Sequence, residues 1–259
     1  MNMPILTPAL IGAFILVLIR VSSIILMIPV FGEALVPAMV KWGLSLLIAL
    51  LLFPVVRGGI AVPVDLAALP FIVSIGGEVL IGISIGFAAR FIFAGIQLAG
   101  ELLGFQMGFS MASVIDPTSN LQVTILAEFQ YMVGVLLFMS VNAHHLFIGA
   151  IAESFRIIDP LHAHRAGALL PIMLQLSQEV FVIALKISAP IMAVLLFTTV
   201  GMGVVARTVP QMNVFVISFP LQIAVGLVFL GLTAPIFGQL LERFFAALPG
   251  KIGLVLRFL

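Results

Sequence analysis

Charged side chains stand inside apolar runs at seven places, and a chain built that way has few folds open to it. They are Arg20, Glu78, Arg90, Glu101, Glu128, Glu179 and Lys186, each within or at the edge of a stretch that otherwise suits lipid. The runs exclude a water-soluble fold: 63% of the 259 residues are hydrophobic and 8% are charged, against about 45–50% and about 25% in a soluble domain. The charges exclude the opposite extreme, a bundle bathed in lipid on every side, because each ion at a bilayer centre costs at least about 2.5–3.5 kcal/mol. These ions must therefore face one another, a partner subunit, or water in a cavity.

A spanning helix needs about 20 mostly apolar residues. The runs that meet or approach this are Pro8–Val30, Trp42–Val56, Leu66–Arg90, Phe91–Phe109, Ile125–His144, Leu170–Ala206 and Val214–Leu241. The expected fold is all-α: a helical integral membrane protein of packed hairpins, forming one domain over residues 1–259. Simple bilayer-crossing topology is not expected. Leu66–Phe109 contains no polar loop, and Leu170–Ala206 is too long for one upright span and carries Glu179, Lys186 and Pro190. In a six-span count, the side of both termini holds Arg57, Arg156, Arg165, Arg243, Lys251 and Arg257, and the other side holds Lys41 and Arg207. That bias predicts cytoplasmic termini. The stretch Glu153–Gly167 reads as the longest polar loop, and the first apolar run as a retained helix, since no positive region precedes it.

Gly100, Gly104 and Gly108 recur every fourth residue, and Gly82 and Gly86 do the same earlier. That spacing puts small residues on one helix face and predicts close helix packing, with Glu101 beside the stripe. The stretch FQMGFSMASVIDP follows. Pro117 removes a backbone donor and pushes Asp116 out of helical geometry. Irregular backbone at membrane depth survives only when enclosed by protein or lining a cavity. Phe105, Met107, Phe109 and Met111 would be the pliable apolar groups of such a loop, with Ser110 and Val114 among them; Met can reseal around differing shapes. An external loop between two spans is the alternative. Further on, Arg207 and Pro210 end one helix while Gln211 and Asn213 lead into the next, an ordinary helix break.

Enzyme chemistry finds little support. Gly108–Ala112 resembles a nucleophile turn around Ser110, but nothing in the sequence brings His144, His145, His162 or His164 to it. Neighbouring helical residues point about 100° apart, so the His144–His145 pair is not expected to chelate a metal. Cys is absent, which removes disulfides and thiolate sites, and no phosphate-binding or dinucleotide motif is present. No cofactor, no metal and no catalytic residue are expected. A net charge of +1 gives no reason to expect nucleic acid.

Five blocks, taken in order, resemble the FliR family of flagellar type III export-gate proteins: Pro29–Leu50, Gly77–Phe87, Ala99–Pro117, Val141–Ile151 and Arg207–Ile223. The resemblance is nearer the flagellar branch than the virulence injectisome, mainly through PQMNVF and NAHH, with Ala143 where the family pattern has Gly. It implies a non-enzymatic inner-membrane subunit of the flagellar basal body. That subunit would assemble with FliP and FliQ, associate with FlhB and FlhA, and pass unfolded axial proteins. It also implies that the segment near 105–120 helps close the pore. Arg20, Glu78, Arg90, Glu101, Glu179 and Lys186 then become inter-subunit charges. The competing readings are a free-standing secondary transporter, in which two related halves would be expected, and an intramembrane enzyme.

Overall fold

The computed structural model describes residues 7–33, 36–56, 69–109, 125–158, 169–209, 211 and 213–258. Those residues are helical apart from short turns and caps, as the apolar runs predict. The helices are α1 (Pro8–Met27), α2 (Ala38–Val56), α3 (Leu69–Gln106), α4 (Ile125–Ser140), α5 (Ala143–Ile157), α6 (Leu169–Thr208), α7 (Val214–Ala246) and α8 (Leu248–Phe258). Among the described residues, five helical stretches are long and apolar enough to cross a membrane.

Three boundaries differ from expectation. The spans expected as Leu66–Arg90 and Phe91–Phe109 form one helix of 38 residues. Arg90 does not break it, because it lies exposed at the helix surface and no proline stands between Pro70 and Pro117 to remove a backbone bond. The run expected to end at His144 is instead split at Asn142, whose φ of 54° is left-handed, a conformation Asn tolerates better than most residues. The loop expected from Glu153 begins later, since α5 continues to Ile157. At 1.5 Å per residue, α3 and the 40-residue α6 are each roughly 60 Å long, about twice a hydrocarbon core of ~30 Å.

The chain divides into two compact units: Met1–Arg90 with Asn142–Leu176 and Ala246–Leu259, and Phe91–Val141 with Ser177–Phe245. In the first, α1 starts with Thr7 accepting the Leu10 N–H and with Pro in its first turn, where a missing donor does no harm. It buries Leu16, Val17, Arg20, Val21, Ile24 and Ile25. α2 packs on it with small residues, Ser45 and Ala49 being buried, while Met39, Trp42, Leu51 and Val55 stay exposed. That is the inverse of a soluble helix. It suits a setting in which lipid is as apolar as Leu and close backbone approach holds helices together. α8 covers α5 through Leu248, Ile252, Val255 and Leu256.

In the second unit α3 runs antiparallel to α4: Gly100 abuts Ala127, Ile96 meets Gly134, and the Phe93 ring lies 5.6 Å from Phe138. α6 runs parallel to α3, with Gly95 against Ile183 and Gln106 donating to the Met192 carbonyl at 3.4 Å. α7 runs antiparallel again, bringing Phe245 to Phe93 and Gly226 to Met107. Leu103, Met107, Leu126, Ile191 and Leu195 form the core at one end of this four-helix arrangement.

Candidate functional site

Two of the seven charges are resolved inside the first unit. Arg20 and Glu78 are both fully buried and form a two-pronged ion pair, Nε to Oε2 and Nη2 to Oε1, the latter at 2.8 Å. The residues expected to reach a partner subunit therefore pair within the chain. The remaining Arg20 protons point at α5: Nη1 donates to Ser154 Oγ at 3.3 Å, and both Nη atoms lie 3.4–3.5 Å from the Ile158 carbonyl. Ile158 is the C-cap of α5, where a cation meets the negative end of the helix dipole. The Phe155 ring faces the guanidinium, 4.0 Å from centroid to Cζ. Arg20 is thus enclosed by a carboxylate, a hydroxyl, a carbonyl and a ring face, which makes its burial tolerable.

Ser154 and Phe155 were not singled out from sequence. The available signal was Ser154 itself, a polar residue in register with Phe147 and Ile151 on the buried face of α5.

The glycines divide between two helix pairs. A Cβ on Gly82 would collide with Ser23, and one on Gly86 with Met27, both on α1. In the second unit, Gly100 leaves no room beside the Ala127 backbone, and Gly104 is buried. Gly108 departs from the expected stripe. It lies beyond α3 with φ +86° and stops the helix: its N–H binds the Phe105 carbonyl at 3.1 Å, and the Phe109 N–H binds the Gly104 carbonyl at 2.9 Å. This is the paired left-handed glycine cap, and it rather than Pro117 ends α3.

Of the residues expected on a pore-closing loop, Phe105 is exposed, Met107 is fully buried in the core, and Phe109 packs against that core. Ser110, Met111, Val114, Asp116 and Pro117 lie outside the described residues, as does Pro210. The expected break between α6 and α7 is present: Arg207, Gln211 and Asn213 are exposed, and the Asn213 carbonyl accepts the Val216 N–H at 3.1 Å.

The other charges lie elsewhere. Arg90 is exposed, with Nη1 3.8 Å from Met27 Sδ, and Glu101 and Glu179 are half-buried. Glu128 and Lys186 are exposed on α4 and α6. Lys186 lies among exposed Phe181, Val182 and Leu185, and among the described residues no ion pair reaches it.

Comparison with known proteins agrees with the resemblance seen in the motifs. The family model described as "Bacterial export proteins, family 1" matches residues 11–248. The chain is 37% identical over 221 residues to the flagellar biosynthetic protein FliR of Bacillus subtilis, covering 84% of each chain. It is 31% identical over 233 residues to FliR of Escherichia coli, covering 88% of this chain and 87% of that one. FliR of Pectobacterium carotovorum is 31% identical over 238 residues, with 88% and 86% covered. With the match running almost from end to end and the helices apolar enough for a membrane, this chain belongs to the bacterial export proteins of family 1, the family that includes FliR.

Proposed function

We propose that the chain is a structural, non-enzymatic subunit of the flagellar type III export gate in the bacterial inner membrane. It assembles there with FliP-type and FliQ-type subunits, beside FlhB and FlhA in the basal body, and unfolded axial proteins pass through the assembly. The segment near 105–120 contributes to closing the pore. Family membership supports the export role.

The observation that carries the assembly is Lys186. An exposed ammonium on the apolar face of a long helix is poorly solvated by acyl chains, so a neighbouring polypeptide supplies its counter-ion. The two helices of roughly twice bilayer length support the same reading, because their surplus needs protein around it. The test is co-expression with FliP-type and FliQ-type subunits, gentle detergent extraction, and native mass. A hetero-oligomer is expected; a chain that extracts alone or as a homodimer refutes the reading.

A further inference from the structure

Glu128 is a carboxylate set in an otherwise apolar outer face, and nothing in the fold meets it. On α4 the residues Ala127, Gln130, Gly134 and Phe138 are buried, with Ala127 and Gly134 turned to α3. The opposite face presents Ile125, Phe129, Met132 and Leu136, each more than half exposed. Their spacing of i, i+4, i+7 and i+11 makes one continuous helical stripe, and Glu128 stands exposed among them. Among the described residues no hydrogen bond or ion pair reaches it. Its place in the first turn of α4 suits an anion through the helix dipole. The dipole does not remove the cost of facing acyl chains with a charge.

The depth of Glu128 is shared by other charges of the second unit. Ala127 lies against Gly100, which brings Glu128 level with Glu101 on α3. Ile183 lies against Gly95, and the Met192 carbonyl takes the Gln106 amide. Lys186, between those two contacts, is therefore within about one turn of the same level. Glu101, Glu128 and Lys186 form one layer, yet among the described residues no ion pair joins any two of them. Opposite charges that share a depth without pairing are left to be neutralised from outside.

We propose that the outer face of α4 docks an apolar helix of a neighbouring export-gate subunit, and that this helix carries a Lys or Arg at the depth of Glu128. The inference rests on the assembly reading above and adds to it a docking surface and the sign of the charge that the surface selects. Charge complementarity chooses the occupant. An acyl chain covers Ile125, Phe129, Met132 and Leu136 but leaves the carboxylate unmet. A second copy of this chain docking through the same face offers another carboxylate. A basic side chain satisfies both parts of the surface: its alkyl stem lies along Phe129 and Met132 while its head reaches Glu128.

Three variants test this in the full chain. Glu128→Gln keeps the shape and removes the charge, and Glu128→Lys reverses it. Each is melted alone in detergent and then co-expressed with the FliP-type and FliQ-type subunits. Recovery of partner subunits is expected to fall at least about fivefold for Glu128→Gln and further for Glu128→Lys, because a cation of the partner is then buried unmet. The lone-chain Tm is expected to stay close to the parent's. A fall of more than about 5 °C for lone Glu128→Gln exceeds the loss of a first-turn anion and would mean that the carboxylate is used inside the fold. Partner recovery equal to the parent's for Glu128→Gln, or better recovery for Glu128→Lys than for Glu128→Gln, would mean that no cation docks there. Any of these overturns the inference. The third variant, Met132→Cys, supplies the only thiol in the chain, and a benzophenone attached to it is photolysed in the assembled complex. An adduct with a partner subunit is expected, and adducts with phospholipid alone overturn the inference while leaving the assembly reading intact. A parent chain that captures neither subunit overturns both.

Discussion

Removing the Glu78 carboxylate strands a buried cation, and Glu78→Ala is therefore expected to be the most destabilising single change in the first unit. Arg20 is fully buried and its two bonds to Glu78 are its only charge-neutralising contacts among the described residues. What remains is long: 3.3 Å to Ser154 Oγ and 3.4–3.5 Å to the Ile158 carbonyl. Those bonds can orient a guanidinium but cannot neutralise it. Breaking a buried pair from one side typically costs about 3–5 kcal/mol, more than a hundredfold in the folding equilibrium at a factor of about 10 per 1.4 kcal/mol. The lesser contacts order below it. Phe155→Leu loses the ring face, about 2 kcal/mol, and Ser154→Ala loses one neutral partner, about 1 kcal/mol. The decisive comparison is the double variant Arg20→Met with Glu78→Leu, because replacing a whole buried pair by apolar groups is often neutral or stabilising. Stability would be read by titrating the full chain with a denaturing detergent in mixed micelles. The double variant should sit well above Glu78→Ala. If Glu78→Ala lies within about 1 kcal/mol of the parent, or the double variant falls as far as the two single losses added, the pair is not buried as a unit and the reasoning fails.

Three further outcomes follow from the same structure. Gly82→Ala should lower the melting temperature by forcing α3 off Ser23, a loss of about 1–3 kcal/mol, while Gly76→Ala, with nothing near its Cβ, should be neutral or gain up to about 1 kcal/mol from helix propensity; equal effects would refute close approach as the cause. Glu101→Ala should reduce capture by co-expressed FliP-type and FliQ-type subunits, and wild-type yield of the complex would sink that. Deleting residues 110–114, which spares the buried Met107, should make cells carrying the assembled gate leak small solutes, and an unchanged permeability would mean the segment is no seal.

The helical class was legible because it follows from composition and run length alone. Helix boundaries were less so, and α3 shows why. Hydropathy treats Arg90 as an edge, but a side chain that reaches the helix surface interrupts nothing. Backbone chemistry ends helices, and the stop at Gly108 was present in the sequence as a glycine followed by an apolar residue; its place at the end of a four-residue glycine series disguised it as a packing position. α5 and α8 were missed for a different reason. Each is short and amphipathic, with polar residues on one side, so neither resembles a span. The charges in apolar runs did mark Arg20 and Glu78 as special, but sequence cannot choose between a partner in another subunit and one 58 residues away in the same chain. Only packing decides that.

The position of the ion pair also explains why α3 needs glycines where it has them. Glu78, Gly82, Gly86 and Arg90 follow one another at four-residue intervals and lie along one face of the helix. They meet Arg20, Ser23 and Met27 of α1 in the same order, so the two helices run parallel and share one register. In lipid no hydrophobic force favours one register over another, since apolar faces slide past each other at little expense. The glycines allow contact close enough for the ion pair to form, and the pair fixes which residues touch. A slip of one turn that brought Arg20 against Gly82 would carry Ser23 to Gly86, part Arg20 from the Glu78 carboxylate, and press Met27 onto Arg90, where there is no notch. Each device is weak in specifying register alone: glycine notches recur every turn, and a long Arg side chain can reach several positions. Together they admit one alignment, which is why this face carries charge at its start and small residues after it rather than a continuous apolar stripe.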